Sequence, residues 1–339
     1  MRAFDTIVIG AGQAGVPLSR VLAGRGQRVA LVERARPGGS CVNFGCTPTK
    51  AMIASARIAR QVRTAAAWGV QVSGSAVDFP AVMRRVRGLV SDAVSSLERD
   101  LGGAGDPVLV RGEARLDGRE GQGGPIRVSV HGDAGIESFS ARNVVLDTGT
   151  RTAIPDLPGL DADRPDPRLV TAETWVDLDV LPARLLVLGG STLGLEFAQA
   201  FSRLGAAVTV LQDGHRLAPQ EDPDISEAIR DILRAEGLQV RLGVAVERVE
   251  WRPDGVRLHL RDGGTVDGSH LLVATGRRTN TGSLGLDTLD LEPDEHGRVP
   301  VDDRLRTPVS GLWAAGDITP GLQFTHLAYA DHAVIAAAM

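Results

Sequence analysis

Residues Phe4-Asp5-Thr6-Ile7-Val8-Ile9-Gly10-Ala11-Gly12-Gln13-Ala14-Gly15 decide the fold. FDTIVIG is an apolar run with the character of a buried strand, and it ends at Gly10. The GAGQAG turn follows, then a helical stretch from Val16 to Gly24, then a second strand from Arg28 to Val32 that ends on Glu33. Each glycine has a mechanical job. The first makes the tight turn, the second lets the backbone approach a pyrophosphate, and the third lets helix and strand pack closely. The helix N-terminus then faces the anion. Glu33 lies 18 positions after Gly15, where a carboxylate can accept from ribose hydroxyls. A lone GxGxxG says little. With both strands, the helix and the acid in place, the stretch predicts a dinucleotide-binding α/β unit.

The same device recurs from Arg184. LLVLGG, Ser191-Thr192-Leu193-Gly194, a helical LEFAQAFSRLG and the strand AAVTVL repeat strand, turn, helix and strand. Gly189 and Gly194 hold the first and third glycine positions, Ser191 the second, and Gln212 stands 18 residues after Gly194 as the counterpart of Glu33. Two such units imply two nucleotides, hence an electron carrier fed by a second carrier. Gln212 lacks the charge that would repel a 2′-phosphate, and Arg216 lies nearby, which leans toward NADPH. Asp213 could take the ribose instead, so NADH stays open.

A chain of 339 residues exceeds one ordinary core. The expected class is α/β, with two Rossmann-like, three-layer dinucleotide-binding domains, the second inserted into the first. The expected boundaries are 1–151 for the first segment of one domain, 168–275 for the other, and 276–339 for the return. Pro155, Pro158, Pro165 and Pro167 stiffen the first junction. The turns Thr148-Gly149 and Thr275-Gly276 close the two halves. A net charge of −5 argues against nucleic acid or an anionic membrane as partner. No apolar run approaches the ~20 residues of a membrane span. The N-terminus runs directly into strand pattern rather than a signal peptide, so a cytoplasmic address is expected.

The second informative stretch is GGSCVNFGCTPTK, Gly38 to Lys50. It holds both cysteines of the chain and, among 37 Lys+Arg, the one lysine. Arginine is a planar fork and lysine a compact point charge, so a site needing the ammonium would resist the replacement seen everywhere else. Cys41 and Cys46 suit a helix N-terminal turn, with Pro48 in its first turn. Cys46 at the positive end of the helix dipole would have a lowered pKa. The looser Cys41 suits exchange with an external disulfide. A structural disulfide in so small a loop would stabilise little. Zinc would need more soft ligands than these two, and no metal site is expected.

These motifs in order (GAGQAG, GGSCVNFGCTPTK, the first Thr-Gly turn, GGSTLGLEF, ATGR and AAGD) give a chain that resembles the class I pyridine nucleotide–disulfide oxidoreductases. The resemblance covers essentially the whole chain. It implies that Gly10, Gly12, Gly15 and Glu33 hold the ADP part of FAD, and that Asp317 holds its ribityl chain. Gly39, Ser40, Lys50, Ala114, Thr148, Gly149, Gly276 and Arg277 would complete the cofactor contacts. Gly189, Ser191, Gly194, Gln212 and Arg216 would receive NADPH or NADH. Cys46 would be the thiol against the flavin, Cys41 the interchange thiol, and Lys50 would lie at the flavin edge paired with Glu196. Electrons would pass from nicotinamide through flavin to a Cys41–Cys46 disulfide, and on to a small-molecule disulfide or thiol-bound metal.

Two departures stand out. Thr192 occupies the place where the family carries a Tyr that covers the flavin. The family's homodimerisation domain, with its acid–base His–Glu pair, is expected to lie outside this sequence. His326 and His332 read as local contacts rather than replacements for that pair. CVN and TPTK resemble the mercuric-reductase-like branch. An NAD-linked dihydrolipoamide dehydrogenase and a non-catalytic flavin-binding fragment are the alternatives.

Overall fold

The computed structural model describes residues 1–103, 105–121 and 123–339. The chain divides into two compact units: Met1–Asn43 with Val90–Arg151 and Arg278–Met339, and Phe44–Leu89 with Thr152–Arg277.

The first unit is built on a seven-stranded sheet. Four strands run parallel in the order Val108–Arg111, Val29–Glu33, Arg2–Ile9 and Gly135–Leu146, and Leu312–Ala314 adds a fifth beside the last. Ile126–Gly132 and Glu113–Arg119 continue the sheet antiparallel. Successive residues of the central strand go to opposite cores. Ile7 and Ile9 join Val144 and Leu146 on one face, and Val8 joins Leu18, Leu22, Val145 and Ile335 on the other. That two-sided burial explains why FDTIVIG is continuously apolar rather than alternating.

The second unit repeats the plan with five parallel strands, in the order Gln239–Leu242, Ala207–Gln212, Arg184–Leu188, His270–Val273 and Leu169–Val170. One face carries the helix Thr192–Leu204. The other face is covered by an antiparallel sheet of Val246–Arg252, Gly255–Leu260 and Thr265–Gly268.

One expected boundary needs correcting. The segment Phe44–Leu89 packs with the second unit, although the sequence boundaries counted it in the first. The reason is a shared core: Met52, Phe79 and Met83 bury against Trp175, Phe197 and Phe201. Within VLVRGEARL, Val108–Arg111 and Glu113–Arg119 form separate strands. Gly112 sits at φ +147° with its α-carbon so close to His131 that a Cβ would lie 2.6 Å from that carbonyl oxygen. The chain is re-aimed there, from a parallel partner (Val29–Glu33) to an antiparallel one (Ile126–Gly132).

Candidate active site

The first glycine turn is held open by contacts that no side chain could share. A Cβ at Gly10 would lie 2.1 Å from the Asp147 carbonyl oxygen, and one at Gly15 would lie 2.0 Å from the Gly10 carbonyl oxygen. Gly10 N donates to Val32 O at 2.8 Å, which ties the turn to the neighbouring strand. Glu33 Oε2 accepts from Ala11 N at 2.9 Å, so the acid at the strand end touches the turn itself. Gly39, at the start of the helix Gly39–Asn43, packs back on this turn, where a Cβ would lie 2.9 Å from the Gly12 α-carbon. The result is a glycine-walled cradle at the N-terminus of the helix Gly15–Gly24, and it fits an anionic dinucleotide.

The second turn reproduces these contacts. A Cβ at Gly189 would lie 2.4 Å from Ala274 O, and one at Gly194 would lie 2.4 Å from Gly189 O. Gln212 Oε1 accepts from Gly190 N at 2.7 Å, as Glu33 does from Ala11. Ser191 takes the second glycine place, and its hydroxyl donates to Ala274 O at 3.2 Å. Gln212 Nε2 donates to Asp213 Oδ1 at 3.1 Å, and Gly214 N donates to the same oxygen at 2.7 Å. Arg216 is exposed.

The two cysteines lie on successive helices rather than within one turn. Cys41 sits in Gly39–Asn43, and Cys46 is the first residue of Cys46–Thr64. Both are thiols. Asn43 Nδ2 donates to Gly39 O at 2.9 Å and reaches Arg36 O and Pro37 O at 3.2 Å, which fixes the segment around Cys41. Lys50 is one turn beyond Cys46 and exposed. Glu196 lies on the helix Thr192–Leu204 with part of its surface open to water, and its carboxyl is held above the usual range. Partial withdrawal from water is the largest cause, the Lys50 ammonium opposes it, and the Cys46 sulfur adds to it. Lys50, Glu196 and Cys46 thus share one electrostatic neighbourhood. Asn43 Oδ1 and, in the second unit, Thr49 Oγ1 are each buried with no hydrogen bond among the described residues.

Of the remaining expected contacts, Thr148 Oγ1 donates to Asn280 O at 3.0 Å, and Asn280 Nδ2 donates back to Thr148 O at 2.9 Å. Gly149 O accepts from Asn280 N at 2.9 Å. Asp317 Oδ2 accepts from Thr150 Oγ1 at 3.2 Å. Ala114 is buried in the strand Glu113–Arg119 opposite Val130. Gly276 O accepts from Ala153 N at 2.9 Å, and Arg277 opens a short strand, Arg277–Thr279. His326 stacks on Phe324 at 5.4 Å, and His332 meets the Tyr329 ring edge-on at 4.7 Å.

Sequence reading missed Asp147, Asp331, Asn280 and Trp175. Asp147 was findable: it is the one charged residue in the strand end VVLDTG, where LLVATG of the other half has Ala274. Its carboxyl is buried, and burial pushes its pKa up to about 8. Asp331 is likewise raised, first by burial, while Gly316 N donates to its Oδ2 at 2.8 Å and Asp317 pushes it further up.

Two glycine turns, each at the end of a parallel strand, with a cysteine pair between them in sequence, define a two-dinucleotide redox protein of the disulfide-reductase type. The chain belongs to the pyridine nucleotide-disulphide oxidoreductase family, whose pattern it matches over residues 4–332. Members of this family use FAD with NAD(P)H. The chain is 35% identical to a mercuric reductase of Streptomyces lividans, over 98% of this chain and 69% of that one. It is 33% identical to a dihydrolipoyl dehydrogenase of Chlamydia muridarum, over 96% of this chain and 68% of that one. Among solved structures, the flavoprotein disulfide reductase RclA of Escherichia coli superposes with a TM-score of 0.88 at 30% identity, over 99% of this chain and 70% of that one. Among the described residues no helix is long and apolar enough to cross a membrane.

Proposed function

We propose that this chain takes electrons from NADPH, through FAD, to the Cys41/Cys46 pair and passes them to a small disulfide or a thiol-bound metal, in the manner of a mercuric reductase. The observation that carries this reading is the neighbourhood of Lys50, Glu196 and Cys46, in which a carboxyl feels both the only lysine of the chain and a thiol. The first unit would bind FAD, with Gly10, Gly12, Gly15 and Glu33 on its ADP part, and Asp317, Thr148 and Gly149 toward the flavin end. The second would bind the nicotinamide dinucleotide on Gly189, Ser191, Gly194, Gln212 and Arg216.

Bound FAD supplies the two-electron step between a nicotinamide and a dithiol. The chain's own residues do the rest. Cys46, at the first position of a 19-residue helix, has its developing thiolate charge stabilised by the helix dipole. Lys50 places a compact positive charge one helical turn away, and Glu196 keeps that ammonium oriented. Cys41, outside that helix, is the thiolate that attacks an incoming disulfide sulfur or ligates a soft metal ion. The address is proposed as cytoplasmic, and homodimers are typical of the family.

Stopped-flow mixing of the FAD-loaded chain with NADPH tests this. A long-wavelength absorbance band should appear, vanish in Cys46→Ser and survive in Cys41→Ser. Reversal of the two variants would exchange the thiols' roles, and a chain that takes up no FAD would refute the reading. Turnover with mercuric thiolates, glutathione disulfide and lipoamide then ranks the substrate classes.

A further inference from the structure

Asp147 lies at the centre of the first cradle. Its Oδ2 accepts from Gly15 N at 2.8 Å, the amide that opens the helix behind the glycine turn. The same oxygen lies 2.7 Å from where a Cβ of Gly12 would stand, and Oδ1 lies 2.8 Å from where a Cβ of Gly316 would stand. The carboxyl therefore fills the space between the turn Gly10–Gly15 and the segment Gly316–Ile318 of the same unit.

We propose that Asp147 is a proton-controlled positioning residue for the dinucleotide of the first unit, admitting the pyrophosphate when neutral and repelling it when ionised. The proposal rests on the reading of this unit as the FAD site.

The internal repeat argues that the carboxyl is not there to build the turn. The second unit makes the same glycine contacts with Ala274 at the equivalent place, where only a methyl group faces Gly194, 3.1 Å from a Cβ placed there. A strand–turn–helix junction of this geometry thus closes without an acid. In the first unit the acid competes for the helix N-terminal amides that a phosphate would use.

Its surroundings decide its charge. Burial is the largest influence and drives the carboxyl toward neutrality. The Gly15 and Ala14 amides work against that, and the Asp317 and Asp331 carboxylates reinforce it. The glycine turn contributes no ionisable side chain. The strand Val29–Glu33 contributes Glu33, held on Ala11 N. Segment Gly316–Ile318 contributes Asp317, and the helix Thr325–Ala338 contributes Asp331. A pKa of about 8 puts the change of charge within reach of ordinary buffers. A pyrophosphate arriving at the same helix end adds like charge, so binding and protonation of Asp147 are linked.

The test is FAD affinity of the full chain, stripped of flavin, followed by quenching of flavin fluorescence between about pH 7 and about pH 9. With a free-state pKa near 8, affinity should fall roughly tenfold over that range, because one proton must be taken up. Asp147→Asn keeps an oxygen for Gly15 N but cannot ionise, so its affinity should change less than about twofold. A variant as pH-dependent as the parent overturns the proposal. Calorimetry of FAD binding to the parent in two buffers of different ionisation enthalpy needs no variant. Uptake of a substantial fraction of a proton near pH 8 is expected, and zero uptake overturns the proposal. No FAD binding at any pH would bring down the flavin reading and this inference with it, whereas tight binding independent of pH removes the inference alone.

Discussion

Trp175 Nε1 donates to Phe44 O at 2.8 Å, across 131 residues of sequence. Phe44 stands between the two cysteines, and Trp175 is fully buried with its ring edge-on to Phe197 at 5.3 Å. The indole thus pins the lead-in to Cys46 on the core beneath Glu196's helix. Trp175→Phe keeps most of the apolar volume and removes the donor. Leaving the Phe44 carbonyl without its partner should cost about 1–3 kcal/mol in urea unfolding. Cys46 should also react faster with a disulfide reagent. Unchanged stability together with unchanged thiol reactivity would mean that the bond does not hold the loop.

Asn43 fixes the other side of the pair. Its Nδ2 faces three backbone carbonyls, of Arg36, Pro37 and Gly39. Asn43→Asp sets an acceptor-only group against acceptors, which should cost about 2–3 kcal/mol. The loss should be local: hydrogen exchange should speed up at Ser40 and Cys41 before it does in the strand Arg2–Ile9. Uniform loss of protection throughout the unit would argue against a local role.

The parts of the fold legible in the sequence are those whose physics is local. A glycine that must lie against a carbonyl five residues away, as Gly15 does against Gly10, leaves its mark inside one short window. Both turns, both apolar first strands and the cysteine–lysine stretch are of this kind. The parts not legible depend on distant partners. Nothing near Met52 says that it shares a core with Phe197, so Phe44–Leu89 fell on the wrong side of the expected boundary. Asp147 meets Gly15 across 132 residues. The internal repeat carried that signal, since overlaying VVLDTG on LLVATG exposes the acid at once.

Glu236 ties the helices that carry the candidate site. Its carboxylate is 5% exposed and takes Arg203 at 2.7 Å and Arg60 at 3.3 Å, with Gln199 donating at 3.0 Å. Burial alone would raise its pKa, but the Arg203 hydrogen bond and the two guanidinium charges outweigh it and hold it below the ordinary range. A depressed carboxylate adds stability above its unfolded-state pKa, and that stability is lost as pH falls through the folded-state pKa. Arg203→Ala should therefore cost about 3 kcal/mol at neutral pH, because it strands a buried charge. Parent and variant should converge in acid. Arg60 is 41% exposed, so Arg60→Ala should cost less than about 1 kcal/mol. Equal effects of the two arginines would contradict this ranking.

The choice of nicotinamide cofactor should turn on Gln212. In the first unit the equivalent Glu33 accepts from Ala11 N while carrying a negative charge, and in the second Gln212 makes the same contact to Gly190 N without one. Gln212→Glu keeps the acceptor for Gly190 N but loses the Nε2 donor to Asp213, so Asp213→Asn in the same background separates the charge on Gln212→Glu from the lost contact. A carboxylate there should repel a 2′-phosphate and accept from a 2′-hydroxyl, shifting the NADPH-to-NADH affinity ratio toward NADH by about tenfold or more. Arg216→Ala should shift it the same way by a roughly five- to thirty-fold factor, on the order of 1–2 kcal/mol for one exposed charged contact. Asp213 is the competing acid, but its Oδ1 already accepts from Gln212 Nε2 and Gly214 N, so Asp213→Asn should move the ratio less than either. The measurement is the dissociation constant of each nucleotide for the FAD-loaded chain, at one fixed ionic strength. If Asp213→Asn produces the largest shift, the ribose is read by Asp213 and the natural donor is NADH.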